Sequence, residues 1–247
     1  MLASSDRAVL VTGASRGIGA GIAREFIGRG RRVACGYRTD PDAAGRMAAV
    51  AGAAPDAVLP VHVDLADDAS AERAVRAVVE TWGRLDALVC NAGQWQGGRL
   101  GAMDPDDWWR VVELNVRGTA AVARAALPEL AKSDDPAIVL VSSVVGLIGH
   151  AGDTAYASAK AAMVGFARSL AKEAADDGIR VNVLAPGFVD TDMTAAIPER
   201  SRRAIADATL LGRFGTVEEI ARAAVFLSED ATFCTGAVLT ADGGWSV

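Results

Sequence analysis

Tyr156 and Lys160 stand four residues apart in the stretch DTAYASAK, 153 to 160. On a helix that spacing places both side chains on one face. A free tyrosine ionises near pH 10, about three units above neutrality, and alone handles protons poorly. A cation at i+4 favours the phenolate, so the pair predicts a lowered tyrosine pKa and a general acid or base. Ser143 closes the apolar run AIVLVSS, 137 to 143. A hydroxyl at that strand end can hydrogen-bond an oxygen as negative charge develops on it. Each position also has a purely structural explanation: strand-end capping for Ser142 and Ser143, a solvated helix face for Lys160.

These residues need a scaffold that brings strand ends and helix starts together. Short apolar runs recur along the chain: AVLVTG (8 to 13), RVACGY (32 to 37), AVLPVHVD (57 to 64), LDALVCNAG (85 to 93), AIVLVSS, IRVNVLAPG (179 to 187) and AVLTADGG (237 to 244). Runs apolar on both faces suit buried parallel strands. Helical patterns lie between them, such as Val75, Val78, Val79 and Trp82, or Ala159, Met163, Phe166 and Leu170. Strict alternation predicts an α/β fold: one domain over 1 to 247, a doubly wound Rossmann-type parallel sheet of about seven strands with helices on both faces. Ligands of such sheets bind outside the carboxyl ends of the strands, which is where Ser143 falls.

The first strand runs straight into TGASRGIG, 12 to 19, with Gly13, Gly17 and Gly19 ahead of a helix. Glycines there let the backbone turn sharply and approach a pyrophosphate, and the helix N-terminus favours an anion. The second strand ends CGYRT. Arg38 occupies the place where an acidic residue would bind the ribose hydroxyls of NAD, and Arg16 stands inside the glycine loop. Two guanidinium groups suit the extra phosphate of NADP. NADP(H) is therefore the preferred cofactor, with NAD(H) as the alternative if the strand extends two residues further, to Asp40.

The chain has 247 residues, 51% of them hydrophobic, and a net charge of −6. Its balance and lack of a basic run argue against nucleic acid. The apolar run from Ala137 to Gly149 has 13 residues, short of the roughly 20 that span a membrane. The first ten residues lack a basic segment followed by an apolar one, so no secretory signal is expected. Cys35, Cys90 and Cys234 are widely spaced, and His62 and His150 are the two histidines, so neither a disulfide framework nor a metal site is expected. A cytoplasmic, soluble protein is expected.

Taken together, TGASRGIG, NAG (91 to 93), LNV (114 to 116), SSVVG (142 to 146), YASAK (156 to 160), PGFVDTDM (186 to 193) and ADGG (241 to 244) make the chain resemble the short-chain dehydrogenase/reductase family, in its 3-oxoacyl thioester reductase branch. The resemblance covers nearly the whole chain. It implies that Ser143 positions the substrate oxygen, Tyr156 donates or accepts the proton, Lys160 binds the nicotinamide ribose, and Asn115 holds a proton-relaying water. The cofactor site would comprise Gly13, Ser15, Arg16, Gly17, Ile18, Gly19, Arg38, Asn91, Tyr156, Lys160, Pro186 and Gly187. Val189 and Thr191 would touch the nicotinamide amide and phosphates, and Asp64 the adenine, though Asp64 also reads as a helix cap. A homotetramer built on helices 104 to 132 and 154 to 177 and the last strand is implied as well.

Two departures from the family pattern stand out. Cys90 replaces the first asparagine of Asn-Asn-Ala-Gly. Reductases serving an acyl carrier protein carry basic residues before the fifth strand and at the end of the Tyr-Lys helix; this chain has Asp134, Asp135, Asp176 and Asp177 there, which repel an acidic carrier. A free ketone or a coenzyme A thioester fits better. The pocket is expected to draw on Gln94, Trp95, Gln96, Val145, Leu147 and His150, under a lid from 190 to 212 that contains Pro198. Trp108 and Trp109 read as core or subunit contacts. Besides an NADPH-dependent carbonyl reductase, the sequence leaves open an NAD-dependent secondary alcohol dehydrogenase and a nucleotide-binding regulator without turnover.

Overall fold

The computed structural model describes residues 7–42, 46–47 and 56–247, so the first six residues of the N-terminal stretch read above lie outside it. Seven strands form one sheet: β1 Ala8–Val11, β2 Arg32–Tyr37, β3 Val58–His62, β4 Ala87–Cys90, β5 Ala137–Val141, β6 Arg180–Pro186 and β7 Val238–Ala241. Their order is β3-β2-β1-β4-β5-β6-β7, and every pairing is parallel. The expected sheet is thus found, with its direction of growth reversing between β1 and β4. A crevice opens at the carboxyl ends of those two strands.

Alternation along each strand splits the core into two layers. Ala8 and Leu10 of β1 join Leu88, Ile138, Leu140 and Val181 on one face. Against them lie α2 (Asp68–Trp82), α3 (Pro105–Leu130) and α5 (Thr154–Glu173), through Val75, Val78, Val122, Leu130 and Ala167. Val9 and Val11 point the other way and meet α1 (Gly17–Gly28) and α8 (Val217–Val225), through Ile22, Phe26, Ile220 and Ala224. Each fully buried Leu or Phe contributes about 1.5–3 kcal/mol by leaving water.

Local signals set the helix limits. Asp67 caps α2 by accepting from Ala69 N–H at 3.0 Å, and Gly83 ends it at φ 72°. Asp104 caps α3, whose first residue is Pro105. The helices expected over 104 to 132 and 154 to 177 are therefore present, slightly shorter at their C-terminal ends. Short helices α4 (Val145–Ile148), α6 (Asp192–Ala195) and α7 (Glu199–Ala208) complete the chain beyond the strand tips, with a π turn at Phe226–Asp230 after α8. No helix among the described residues is long and apolar enough to cross a membrane.

Candidate active site

At the crevice the chain leaves β1 through Thr12 and turns at Gly13, whose φ of 65° glycine adopts without strain. A Cβ on Gly19 would lie 2.2 Å from the Gly13 carbonyl oxygen, and one on Gly13 would lie 2.9 Å from the Ala92 Cα. Asn91 braces this contact: its Nδ2 donates to the carbonyls of Thr12 at 3.0 Å and Gly13 at 3.2 Å. Thr12 Oγ1 accepts the N–H groups of Asn91 and Ala92, both at 3.0 Å. Thr12, not singled out from the sequence, is thus a second brace, readable only as the residue before the glycine loop.

Gly17 opens α1 opposite Thr191, and Ser15, Arg16, Gly17 and Thr191 share a cleft of about 440 Å³ with Arg24 and Arg46. Ile18 turns into the core layer under α1. β2 ends at Tyr37, so exposed Arg38 follows the strand end directly and makes no ion pair among the described residues. Asp40 lies further on, paired with Arg46 at 3.1 Å. The cap of α2 is Asp67, while half-buried Asp64 accepts the Ala66 N–H at 3.0 Å within its own turn.

Lys160 is 3% exposed. Its Nζ donates to the Val141 carbonyl at 2.9 Å and contacts Met163 Sδ at 3.7 Å, while lying 5.5 Å from the centre of the Tyr156 ring. Burial pulls the ammonium down to about 8. The tyrosine moves opposite to expectation: burial pushes its pKa up, the Asp153 charge adds to that, and the hydrogen bond with Ser143 works against both. Lys160 does not lower it in this arrangement because the ammonium is directed to backbone and thioether rather than to the phenol oxygen.

The two serines separate clearly. Ser142 Oγ donates to the Lys160 carbonyl at 2.7 Å and fastens α5 to the end of β5. Ser143 stands next to Tyr156 and accepts the Val145 N–H at 3.2 Å. Asn115 is fully buried within an unbroken α3; its Nδ2 donates to the carbonyls of Gln94 and Val111, each at 2.8 Å. Its Oδ1 has no partner among the described residues. A Cβ on Gly93 would stand 2.4 Å from that oxygen and 3.4 Å from Lys160 Nζ. The bare backbone there keeps an acceptor open beside the ammonium, which suits a small hydrogen-bonding molecule.

Beyond β6, the Gly187 N–H donates to Ala241 O at 3.1 Å and Pro186 O accepts the Val144 N–H at 2.9 Å. A Cβ on Gly187 would meet the Asp242 Cα at 2.7 Å, which explains glycine beside the ADGG stretch. Buried Val189 bridges Gly215, and the Thr191 N–H donates to Thr194 Oγ1 at 3.1 Å as α6 begins. A glycine cradle, Asn115 with its open acceptor, Ser143, Tyr156 and Lys160 therefore share the crevice at the ends of β1, β4, β5 and β6.

A family profile described as Enoyl-(Acyl carrier protein) reductase matches residues 13–246. The 3-oxoacyl-(acyl-carrier-protein) reductase FabG of Salmonella typhimurium is 39% identical over 236 residues, covering 95% of both chains. That of Thermotoga maritima is 37% identical, over 95% of this chain and 96% of the other. Among solved structures, a short-chain dehydrogenase/reductase from Brucella melitensis, titled a glucose/ribitol dehydrogenase, superposes with a TM-score of 0.92 at 31% identity over 98% of each chain. This chain belongs to the short-chain dehydrogenase/reductase family. As a member it is an NAD(P)-dependent oxidoreductase acting on a CH–OH/C=O pair. The names of these short-chain dehydrogenase/reductase relatives differ in substrate, a 3-oxoacyl carrier thioester in one case and glucose or ribitol in the other.

The substrate side of this family member holds surprises. Trp95, 48% exposed, donates from Nε1 to Asp153 Oδ1 at 2.8 Å, and His150 Nδ1 lies 2.9 Å from Asp153 Oδ2. Phe188 and Trp245 meet edge to face at 5.1 Å, and the Trp245 ring lies 6.1 Å from His150. Asp153, Phe188 and Trp245 were not picked out from the sequence; they come from three separate segments. Val145, expected to line the pocket, is buried, while Leu147 is exposed and Gln96 is bound to Asp107 at 2.9 Å. Trp108 donates to Thr154 Oγ1 at 3.1 Å, and Trp109 is 64% exposed. A second cleft of about 610 Å³, between α7 and α8, is lined by opposite charges and contains none of the Ser-Tyr-Lys-Asn set.

Proposed function

We propose that this enzyme is an NADPH-dependent carbonyl reductase that converts a ketone or 3-oxoacyl-type thioester to a secondary alcohol, reversibly. The observation that carries the reading is the grouping of Ser143 beside Tyr156, with the buried Lys160 Nζ 5.5 Å from the Tyr156 ring centre, in the same crevice as the glycine cradle. Nicotinamide, when bound, supplies or takes up the hydride. Gly13, Ser15, Gly17 and Gly19 would let the pyrophosphate approach the start of α1, and Arg16 and Arg38 would receive the 2′-phosphate. Lys160 would bind ribose hydroxyls with the donor capacity that Val141 leaves over.

Ser143 accepts the Val145 N–H through a lone pair and would turn its hydroxyl proton to the substrate oxygen. Tyr156 is protonated at neutral pH because burial and the Asp153 charge raise its pKa, and its transfer of that proton would be driven by the basicity the substrate oxygen acquires as it gains charge. Asn115 Oδ1 would hold the water through which that proton is replaced. Tyr156→Phe is expected to cut kcat by about 10²–10⁴-fold with cofactor affinity nearly intact. A ketone panel run with both cofactors and followed by nicotinamide absorbance tests the whole reading. Turnover with NADH alone would replace it by the NAD-dependent dehydrogenase, and a Tyr156→Phe variant with most of its kcat would remove Tyr156 from the acid role.

Three further points belong to this reading. Exposed Asp134, Asp176 and Asp177, with Asp135 paired to Arg7 and Arg180, favour a free ketone or coenzyme A thioester over an acidic carrier. The segment 190–212, which carries α6 and α7 with no buried residue on either, is the proposed lid. Exposed Trp109 on α3 and Phe233 before β7 support a homotetramer, which a monomer mass by light scattering would overturn. Three free cysteines accord with a cytoplasmic, reducing location.

A further inference from the structure

The carbonyl-reductase reading leaves the substrate unnamed, and the crevice mouth carries chemistry that reading does not use. Asp153 ends the loop before α5, three residues ahead of Tyr156, with its side chain only 13% exposed. One carboxylate joins two otherwise separate walls. Its Oδ1 takes the indole N–H of Trp95 from the loop after β4, and its Oδ2 faces His150 Nδ1 from the loop after α4. A backbone bond from Gly98 N–H to Gly152 O, 2.7 Å, tightens the same junction. Beyond His150 the wall continues as rings: Trp245 at 6.1 Å, then Phe188 at 5.1 Å from Trp245, then Phe214 at 5.7 Å from Phe188.

We propose that Asp153 is a positioning and specificity residue that holds Trp95 and His150 as the sides of an aromatic slot, selecting ketones with a flat, uncharged substituent and excluding those that carry a carboxylate. This rests on the carbonyl-reductase reading and narrows its substrate. Flat rings stack offset or edge-on against indole and phenyl faces, and Trp95 is 48% exposed. A fixed carboxylate with nearly all of its surface covered repels a second one at short range. The groups facing Tyr156 and Asp153 are Ser143 from the end of β5, Lys160 from α5, His150 from the preceding loop and the neutral Trp95 from beyond β4. Cys90 faces Lys160 from β4. The Asp153 charge also raises the pKa of Tyr156, so its removal should bring the alkaline loss of reductase activity to lower pH.

The experiment compares an aryl methyl ketone with its para-carboxylate in wild type and in Asp153→Asn, which keeps an acceptor for Trp95 and loses the charge. Wild type is expected to favour the neutral ketone in kcat/KM by about tenfold or more, and Asp153→Asn to narrow that ratio severalfold and shift the alkaline limb of the kcat profile downward. Trp95→Ala is expected to raise KM for the aryl ketone more than for a short aliphatic ketone. Quenching of tryptophan fluorescence by the two aryl ketones gives the same comparison as binding, without turnover. Equal acceptance of both ketones by wild type, or an unchanged ratio and pH limb in Asp153→Asn, overturns the proposal. Failure of every ketone to turn over while the binding preference persists would instead strike at the carbonyl-reductase reading.

Discussion

Around Gly13 and Gly19 the chain closes on itself through backbone atoms, with 2.2 Å between the Gly13 oxygen and the place a Gly19 Cβ would take. On α7, at the other side of the crevice, no residue is buried, and pairs such as Arg203–Glu199 at 2.9 Å lie on an exposed surface. The first region has one workable shape and admits one residue type at its tightest points. The second holds its place by side chains that can be exchanged. On the proposed reading the cradle would serve a dinucleotide phosphate, an invariant ligand that rigidity suits, whereas a lid built on exposed side chains could change without disturbing the cradle.

Substitutions can break that contrast. Gly19→Ala should do the most damage, since overpacking against backbone has no soft neighbour to move: about 3 kcal/mol, or a cofactor affinity weaker by about a hundredfold, read by titration. An affinity close to wild type would show that the cradle yields.

Lys160 sits between the regions and sharpens the comparison through pH. At about 1.4 kcal/mol per unit, the fall from 10.5 to about 8 is a cost of about 3 kcal/mol to the folded state. That cost is fully present below pH 8. Between pH 8 and 10.5 the unfolded chain binds more protons than the folded one, so stability rises with pH and the cost disappears above that window. Lys160→Met should therefore be more stable than wild type in denaturant at pH 7 while inactive, with the gap closing towards pH 10. A variant less stable at both pH values would mean that the bond to Val141 outweighs the buried charge.

Arg38→Asp probes the proposed adenosine side of the cofactor region, where exposed charge rather than backbone would do the binding. Losing a charged hydrogen bond worth about 1.5–3 kcal/mol should shift the NADPH to NADH preference at least about tenfold, less at high salt. An unchanged ratio would make Arg38 a surface charge. The smallest effect is expected on α7: Arg203→Ala should cost under about 0.5 kcal/mol in stability. A loss comparable to that of Gly19→Ala would erase the contrast between the two regions.

Much was settled by local pattern. The apolar runs, the glycine spacing and the Tyr-Lys interval follow rules of a few residues' range, so strand order of appearance, the cradle and the Ser-Tyr-Lys set were legible before any coordinates. The end of β2 at Tyr37 likewise placed Arg38, and not Asp40, after the strand. What the fold alone decided depends on burial and on contacts between distant segments. The direction of the Tyr156 shift is one case: spacing promised a helpful cation, but burial and Asp153 raise the pKa while Lys160 Nζ is turned to Val141. The roles of Ser142 and Ser143, adjacent and alike in sequence, diverge because neighbouring residues of an extended chain face opposite sides. The junction of Trp95, Asp153 and His150 and the rings of Phe188 and Trp245 are the clearest case, since no periodicity within one segment can report which loops meet when four strand ends converge.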